Sequence, residues 1–373
     1  MRPDSTSITH KVLESSREKW VDRLKGWSIL LVVIGHNVSL ASLLQEGVAT
    51  IYLFHVPLFF VITGLTLRPG MTLPQLLERA LSLIWVYLGI GSIFLLWDAV
   101  TSRGDIYVIA SAISGLIYGS GLTIRPVPIW FLPCLALSLP LAFLSLKAAS
   151  RVTPGYQLAT RGLLIAAWCA LGSIALSQQS GTLIHRLAWG DVPEAGWFWS
   201  ADIALIGAGY LLAGVLLKDI LGLLGQSGAL RLGLAAGGLF GSVLLAGRPT
   251  VDLNLRIFDP ALPALIASFS GAIAVIGLAR AADALPFDDL FVTIGQAALP
   301  ILAFHNPIQR AISQFGHGQD PLWTGLAGVA LAVSIPVLLN TFVLTRTAAG
   351  RWIFYPRAAF KSLRKDLRAG ALS

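Results

Sequence analysis

Long apolar runs, separated by short polar and proline-containing stretches, occupy most of the chain. Windows of about 20 apolar residues, the length that crosses a bilayer's hydrocarbon core, occur at approximately 27–45, 48–67, 80–99, 128–147, 161–177, 199–218, 228–247, 260–281, 291–312 and 322–346. This pattern predicts an all-α, polytopic integral membrane protein with about ten transmembrane helices. It divides the chain into a polar tail over 1–26, one membrane domain over 27–346 and a second polar tail over 347–373. Between the third and fourth windows, 105–120 is apolar but short and rich in Ser and Gly, which suits an interfacial or re-entrant segment. The C-terminal tail alternates aromatic and basic residues, as an amphipathic segment lying on an anionic leaflet would.

Composition agrees with that reading. The chain is 55% hydrophobic and 12% charged, with mean hydropathy +0.74, outside the range of soluble domains. Its net charge of +8 is spread over tails and short loops rather than one face, which excludes a nucleic-acid partner. With the N-terminus inside, all of the 27 Lys and Arg except Arg103, Arg125, Arg186, Arg248, Arg256 and Arg310 fall on the cytoplasmic side. Such asymmetry follows the positive-inside rule and predicts an even number of spans, both termini cytoplasmic, in a bacterial inner (plasma) membrane. The first window follows 26 polar residues and the second comes almost at once, so the first reads as a retained helix rather than a cleaved signal. Cys134 and Cys169 lie within apolar windows without C-x-x-C spacing, arguing against a disulfide framework or a Cys metal site.

Candidate chemistry begins in Trp20–Gln45, where Asp22, Arg23 and Lys25 lead into an apolar run carrying His36. An ionisable side chain inside a span is costly and marks a functional candidate. Lys25 and His36 are eleven residues apart, so on a helix they lie within about 20° of one face and about 16.5 Å apart along the axis. Neutral imidazole suits a general base or a nucleophile. The second window carries His55 and Pro57; the proline frees the carbonyl of Leu53, and such a break needs protein or a cavity beside it. His305 and Asn306, ahead of Pro307, repeat the theme in the ninth window. No His pair at i, i+4 and no suitably spaced carboxylate accompanies the three histidines, so no metal site is expected. Arg68 and Arg79 flank the loop near the mouth where Lys25 emerges, as phosphate ligands or as topology signals. Walker A and G-x-G-x-x-G patterns are missing, which leaves ATP and dinucleotides unsupported. In the outer loops, Trp189, Trp197 and Trp199, among the polar His185, Asp191 and Glu194, read mainly as an interfacial belt, whereas the alternating Asp252, Asn254 and Arg256 suit contacts with a polar ligand.

Four blocks then carry a resemblance: D-R-L-K-G-W-S-I-L-L-V-V-I-G-H-N, F-H-V-P-L-F-F-V-I-T-G, P-I-W-F-L-P-C-L and I-L-A-F-H-N-P-I. In this order, over 20 to about 315, they resemble membrane acyltransferase family 3, closest in look to its fucose 4-O-acetylase-like branch. A basic residue, ten intervening residues and a histidine mark that family's catalytic helix, a spacing matched by Lys25 and His36. Many members have Arg where Lys25 stands, and a basic pair where this chain has Glu78 and Arg79.

The resemblance implies an O-acyltransferase that moves an acetyl or other short acyl group from cytoplasmic acyl-CoA to a hydroxyl of a cell-surface or lipid-linked glycan across the membrane. His36 is the expected catalytic imidazole. The expected donor site comprises Asp22, Lys25, Arg68 and Arg79; the expected acceptor or cavity residues are His55, Arg125, Trp130, Asp252, Asn254, His305 and Asn306. Acetyl-CoA would be a co-substrate, with no tightly bound cofactor. A glycan or lipid transporter or flippase is the alternative: it would use the same histidines and broken helices without consuming acyl-CoA.

Overall fold

The computed structural model describes residues 5–68, 70–178, 196–223, 227–245, 249–282, 288–316 and 318–357, with side chains of the first helix from Lys19 onward. His185, Trp189, Asp191 and Glu194 lie outside the described residues.

Among the described residues the fold is helical apart from one small hairpin. Helices α1 (Ser5–Gly35), α2 (Val38–Leu43), α3 (Gln45–Tyr52), α4 (His55–Leu65), α5 (Leu73–Thr101), α6 (Ile106–Tyr118), α7 (Phe131–Ser150), α8 (Gln157–Ser177), α9 (Ala201–Leu223) and α10 (Gly228–Leu244) precede it. Strands β1 (Thr250–Asp252) and β2 (Ile257–Asp259) pair antiparallel, with Val251 opposite Phe258. Helices α11 (Ala261–Ala281), α12 (Asp288–Gln296), α13 (Ala298–Phe315), α14 (Pro321–Leu339) and α15 (Ala348–Phe354) follow, with a π turn over Asn340–Leu344.

Among the described residues, seven helical stretches are long and apolar enough to cross a membrane, or eight if one bent pair counts as a span. Three of the ten expected windows account for the difference. The 27–45 window is interrupted: α1 ends at Gly35, and Asn37, in an extended conformation, caps α2 by accepting from the Leu40 amide at 2.9 Å. Asparagine favours that capping role because its oxygen satisfies an amide left free at a helix start. The 228–247 window becomes the shorter α10. The 291–312 window is bent by 81° between α12 and α13. Pro300 has no amide to bond the Gln296 carbonyl; the Tyr355 hydroxyl lies 3.4 Å from that oxygen instead.

The break expected at Pro57 lies between α3 and α4. The freed carbonyl of Leu53 accepts from the hydroxyl of Ser268 on α11 at 2.6 Å. A buried backbone acceptor is thereby satisfied from another helix, and Gln45–Leu65 remains one span. The expected short segment at 105–120 is the 13-residue α6.

Two close crossings hold the helices that carry the site. On α4 and α9, Gly64 and Gly214 face each other so tightly that a Cβ on either would strike backbone of the other helix. On α1 and α12, a Cβ at Gly26 would meet the Phe291 carbonyl and one at Gly295 the Asp22 carbonyl. Trp27 stacks on Phe291 there with centroids 3.8 Å apart. Arg23, counted from sequence among the basic tail residues, is only 4% exposed: it pairs with Asp288 at the start of α12 and donates to the Ala279 carbonyl at 3.0 Å.

Candidate active site

A cavity of about 930 Å³ runs between α1, α4, α7 and α13 and reaches the hairpin. Lys25, Ile29, Val32 and His36 line it from α1. Their spacings of four, three and four residues form one helical face, so the stripe expected from Lys25 to His36 is the cavity wall on that side. His36 follows the last turn of α1, its amide bonded to the Val32 carbonyl at 3.0 Å, and is half-buried.

Three imidazoles meet at this depth. The His36 ring centroid is 5.6 Å from that of His55 and 5.4 Å from that of His305. Tyr52 adds a hydroxyl 3.4 Å from His36 Nδ1. His55 Nδ1 lies 3.1 Å from the Ile51 carbonyl, and His305 Nδ1 lies 2.9 and 3.1 Å from those of Ile301 and Leu302. Carbonyls only accept, so both Nδ1 atoms carry the proton and both Nε2 atoms hold a lone pair in the neutral rings. The Nε2 of His305 is buried without a hydrogen-bond partner among the described residues. His36 and His55 line the cavity; His305 is fully buried beside His36, without lining it. No group of three or more His, Cys, Asp or Glu among the described residues is arranged to hold a metal ion.

One end of the cavity is cationic. Lys25, Arg68, Arg79 and Arg357 line it, with Gln75, Glu78 and Tyr355. Asp22 is not in the wall; its carboxylate pairs with Lys25 Nζ at 2.9 Å. Arg79 donates to the Thr66 hydroxyl at 2.7 Å, which aims its guanidinium across the loop after α4.

The other end is polar and aromatic. Tyr52, Trp130, Asp252, Asn254 and Asn306 line it. Asp252 accepts from the Leu255 amide at 3.0 Å, yet burial raises its carboxyl above the usual range, outweighing that bond and the Arg256 charge. The Oδ1 of Asn254 is buried without a hydrogen-bond partner among the described residues. Arg256, read from sequence as a ligand contact, instead faces inward: its Nε donates to Asp202 at 2.9 Å and its Nη1 to the Asn254 carbonyl at 2.6 Å. Both members of that ion pair are buried, so Arg256 braces the loop that presents Asp252 and Asn254. Arg125 corrects another expectation. It is 76% exposed, lies 3.7 Å from Asp98 and does not line the cavity.

The residues missed from sequence are Tyr52, Asp202, Tyr355 and Arg357, with Arg310, which also lines the cavity. Asp202 and Arg310 had a visible signal, a charged side chain inside an apolar window.

The model of the acyltransferase-3 family, an acyltransferase domain, matches residues 18–341. The chain belongs to that family. Neither a curated protein nor a solved structure matches it. The acyltransferase-3 match encloses the four sequence blocks and both ends of the histidine cluster, and with the apolar helices it marks a multi-pass membrane acyltransferase. Tyr355 and Arg357 lie beyond the matched residues.

Proposed function

We propose that the protein transfers an acetyl or other short acyl group from acyl-CoA, entering at the Lys25 end, to a hydroxyl of a cell-surface or lipid-linked glycan at the Asp252 end. One observation carries this reading: a single cavity joins a cationic mouth to a polar, aromatic mouth, and His36 lies between them. The excess of basic residues on that side supports a cytoplasmic cationic mouth, in what we read as a bacterial inner membrane. No resident cofactor is invoked; the donor is a substrate.

Phosphates of the donor fit the guanidinium and ammonium groups of Arg79, Arg68 and Lys25. The thioester arm follows the α1 stripe over about 16.5 Å to His36. At the other mouth, the Trp130 face with the polar side chains of Asp252, Asn254 and Asn306 suits a hydroxyl-bearing ring.

In direct transfer, His36 takes the acceptor hydroxyl proton as the oxygen attacks the thioester carbonyl. The C–S bond then breaks, and the leaving thiolate of CoA recovers that proton from the imidazolium. In the two-step route, an imidazole nitrogen attacks the thioester carbon and CoA leaves as the thiol with the ring's proton; the acceptor oxygen then attacks the acyl carbon, the C–N bond breaks, and the freed imidazole nitrogen takes the hydroxyl proton. A labelled acyl group trapped on the protein without acceptor, and lost in His36→Ala, selects the second route.

The test of the reading as a whole is mass analysis of envelope glycans from cells expressing wild type or His36→Ala. An acetyl increment present only with wild type is expected. Equal acetylation in both overturns the role of His36.

A further inference from the structure

Beyond α14 the described residues, to 357, stay against the helix bundle. After the π turn the chain doubles back, and α15 lies along α5: Trp85 Nε1 donates to the Trp352 carbonyl at 2.8 Å, and Gly89 lies so close to Ile353 that a Cβ there would be 2.9 Å from its Cγ2. Phe354 is 3% exposed and faces Phe304 of α13 at 6.2 Å between ring centroids. Tyr355 closes the strap: its hydroxyl bonds to Asn340 Oδ1 at 2.5 Å beside the Gln296 carbonyl at the α12–α13 bend. Burial pushes the Tyr355 phenol up to about 12, so it remains a donor across the physiological range. The sequence reading of this tail, as a basic segment spread on the leaflet, therefore does not describe 348–357.

This strap delivers Arg357 into the cationic mouth. Arg357 lines the same cavity as Lys25, Arg68 and Arg79, and it lies within electrostatic reach of Arg79. Glu78 is the one carboxylate in that stretch of wall, 3.8 Å from Arg357 Nε. Converging guanidiniums repel one another unless an anion lies between them, and a planar fork of N–H donors matches phosphate oxygens. Arg357 is 47% exposed at its side chain, so it is free to turn from Glu78 towards such an anion.

We propose that Arg357 is a donor-binding residue, held by the α15 strap outside the family-matched region, that takes a phosphate of the acyl-CoA. The assignment rests on the acyl-CoA reading given above. It makes the segment after the last span part of the substrate site, and it makes Glu78 a competitor that holds Arg357 when the mouth is empty.

The experiment is equilibrium binding of acetyl-CoA to the full chain in lipid nanodiscs, comparing wild type, Arg357→Gln, Arg357→Lys and Glu78→Gln, with unliganded thermal midpoints recorded alongside. Arg357→Gln is expected to weaken binding about tenfold or more, the loss of one charge-assisted hydrogen bond, with its midpoint unchanged. Arg357→Lys recovers part of the affinity, and Glu78→Gln binds more tightly than wild type. Acetyl-dephospho-CoA, which lacks the 3′-phosphate, identifies the group contacted. Equal loss for both probes in Arg357→Gln places the contact on the diphosphate; loss confined to acetyl-CoA places it on the 3′-phosphate. Wild-type binding matched by Arg357→Gln overturns the assignment while the donor reading stands. Failure of wild type to bind acetyl-CoA removes the donor reading, and the proposal with it. Should Arg357→Gln not fold, Glu78→Gln decides alone: unchanged or weaker binding there overturns the proposal.

Discussion

The imidazoles of His36 and His305 lie 5.4 Å apart between ring centroids, yet only His36 lines the cavity. His305 is pinned to two helix carbonyls and fully buried, so it backs the His36 ring. His305→Gln keeps an N–H for those carbonyls but removes the ring against which His36 rests. Acyl transfer is expected to fall about 10²-fold, as for a displacement on the order of 1 Å at a reacting group. Initial rates of donor turnover in reconstituted vesicles check this; wild-type rates in the variant would refute the supporting role.

His36→Ala should lower transfer by about 10²–10⁴-fold, the range for loss of a positioned general base, with the protein still inserted and folded. Glycan acetylation and detergent-phase thermal unfolding, measured together, separate the two effects. Exchanging the residues at 36 and 37, which would turn the imidazole about 100° off the cavity face, does not isolate its position. Asn37 caps α2 and donates to the Gly325 carbonyl at 3.1 Å, so the exchange also costs about 1 kcal/mol of capping.

Arg256 and Asp202 form a buried ion pair whose members depend on each other. Arg256→Ala strands the Asp202 carboxylate and should destabilise by about 3–5 kcal/mol. Asp202→Asn with Arg256→Gln should recover part of that loss, since neither residue then leaves a buried charge. A thermal double-mutant cycle gives the coupling; simple additivity would show that the pair is not a unit.

Asn254→Leu should raise the acceptor KM, because it removes a polar side chain from the cavity wall, without lowering thermal stability, because its buried oxygen has no partner among the described residues to lose. Michaelis analysis against acceptor, with donor saturating, tests this. A fall in kcat at constant KM would contradict it.

How much of this was legible in sequence follows from the range of each interaction. The Lys25–His36 face and the Pro57 break were readable because each depends on residues within three turns of one helix. The bend at 291–312 was not: Pro300 was visible, but Tyr355, which answers the open carbonyl, is far along the chain. Arg125 and Arg256 show the same limit. Alternation over 252–256 marked polar residues but not their directions, so Arg256 was turned towards ligand rather than towards Asp202; Arg125, an outer-side cation in another loop, was placed at the cavity with no signal for its direction either. Arg357 lay in a segment whose composition pointed to lipid, and only its docking on α5 brings it to the mouth.

Glycine contacts give a further prediction. Gly64→Ala and Gly214→Ala should each cost about 1–3 kcal/mol, because the added methyl meets backbone that cannot rotate away. Gly162→Ala on α8, where a Cβ would meet nothing within 4 Å, should instead gain up to about 1 kcal/mol of helix propensity. Thermal unfolding of the three variants tests the contrast; equal effects would mean that the α4–α9 crossing is looser than described.

The crossing of α1 with α12 has a mechanical consequence. Backbone rests on backbone at Gly26 and Gly295, and Arg23 ties the same two helices through Asp288. Since α12 continues across its bend into α13, His36 and His305 ride on one stiff frame. That frame holds the two imidazoles at a set spacing, so the proposed chemistry has a fixed backing and a change at the α1–α12 crossing would reach His36 through backbone rather than through side chains.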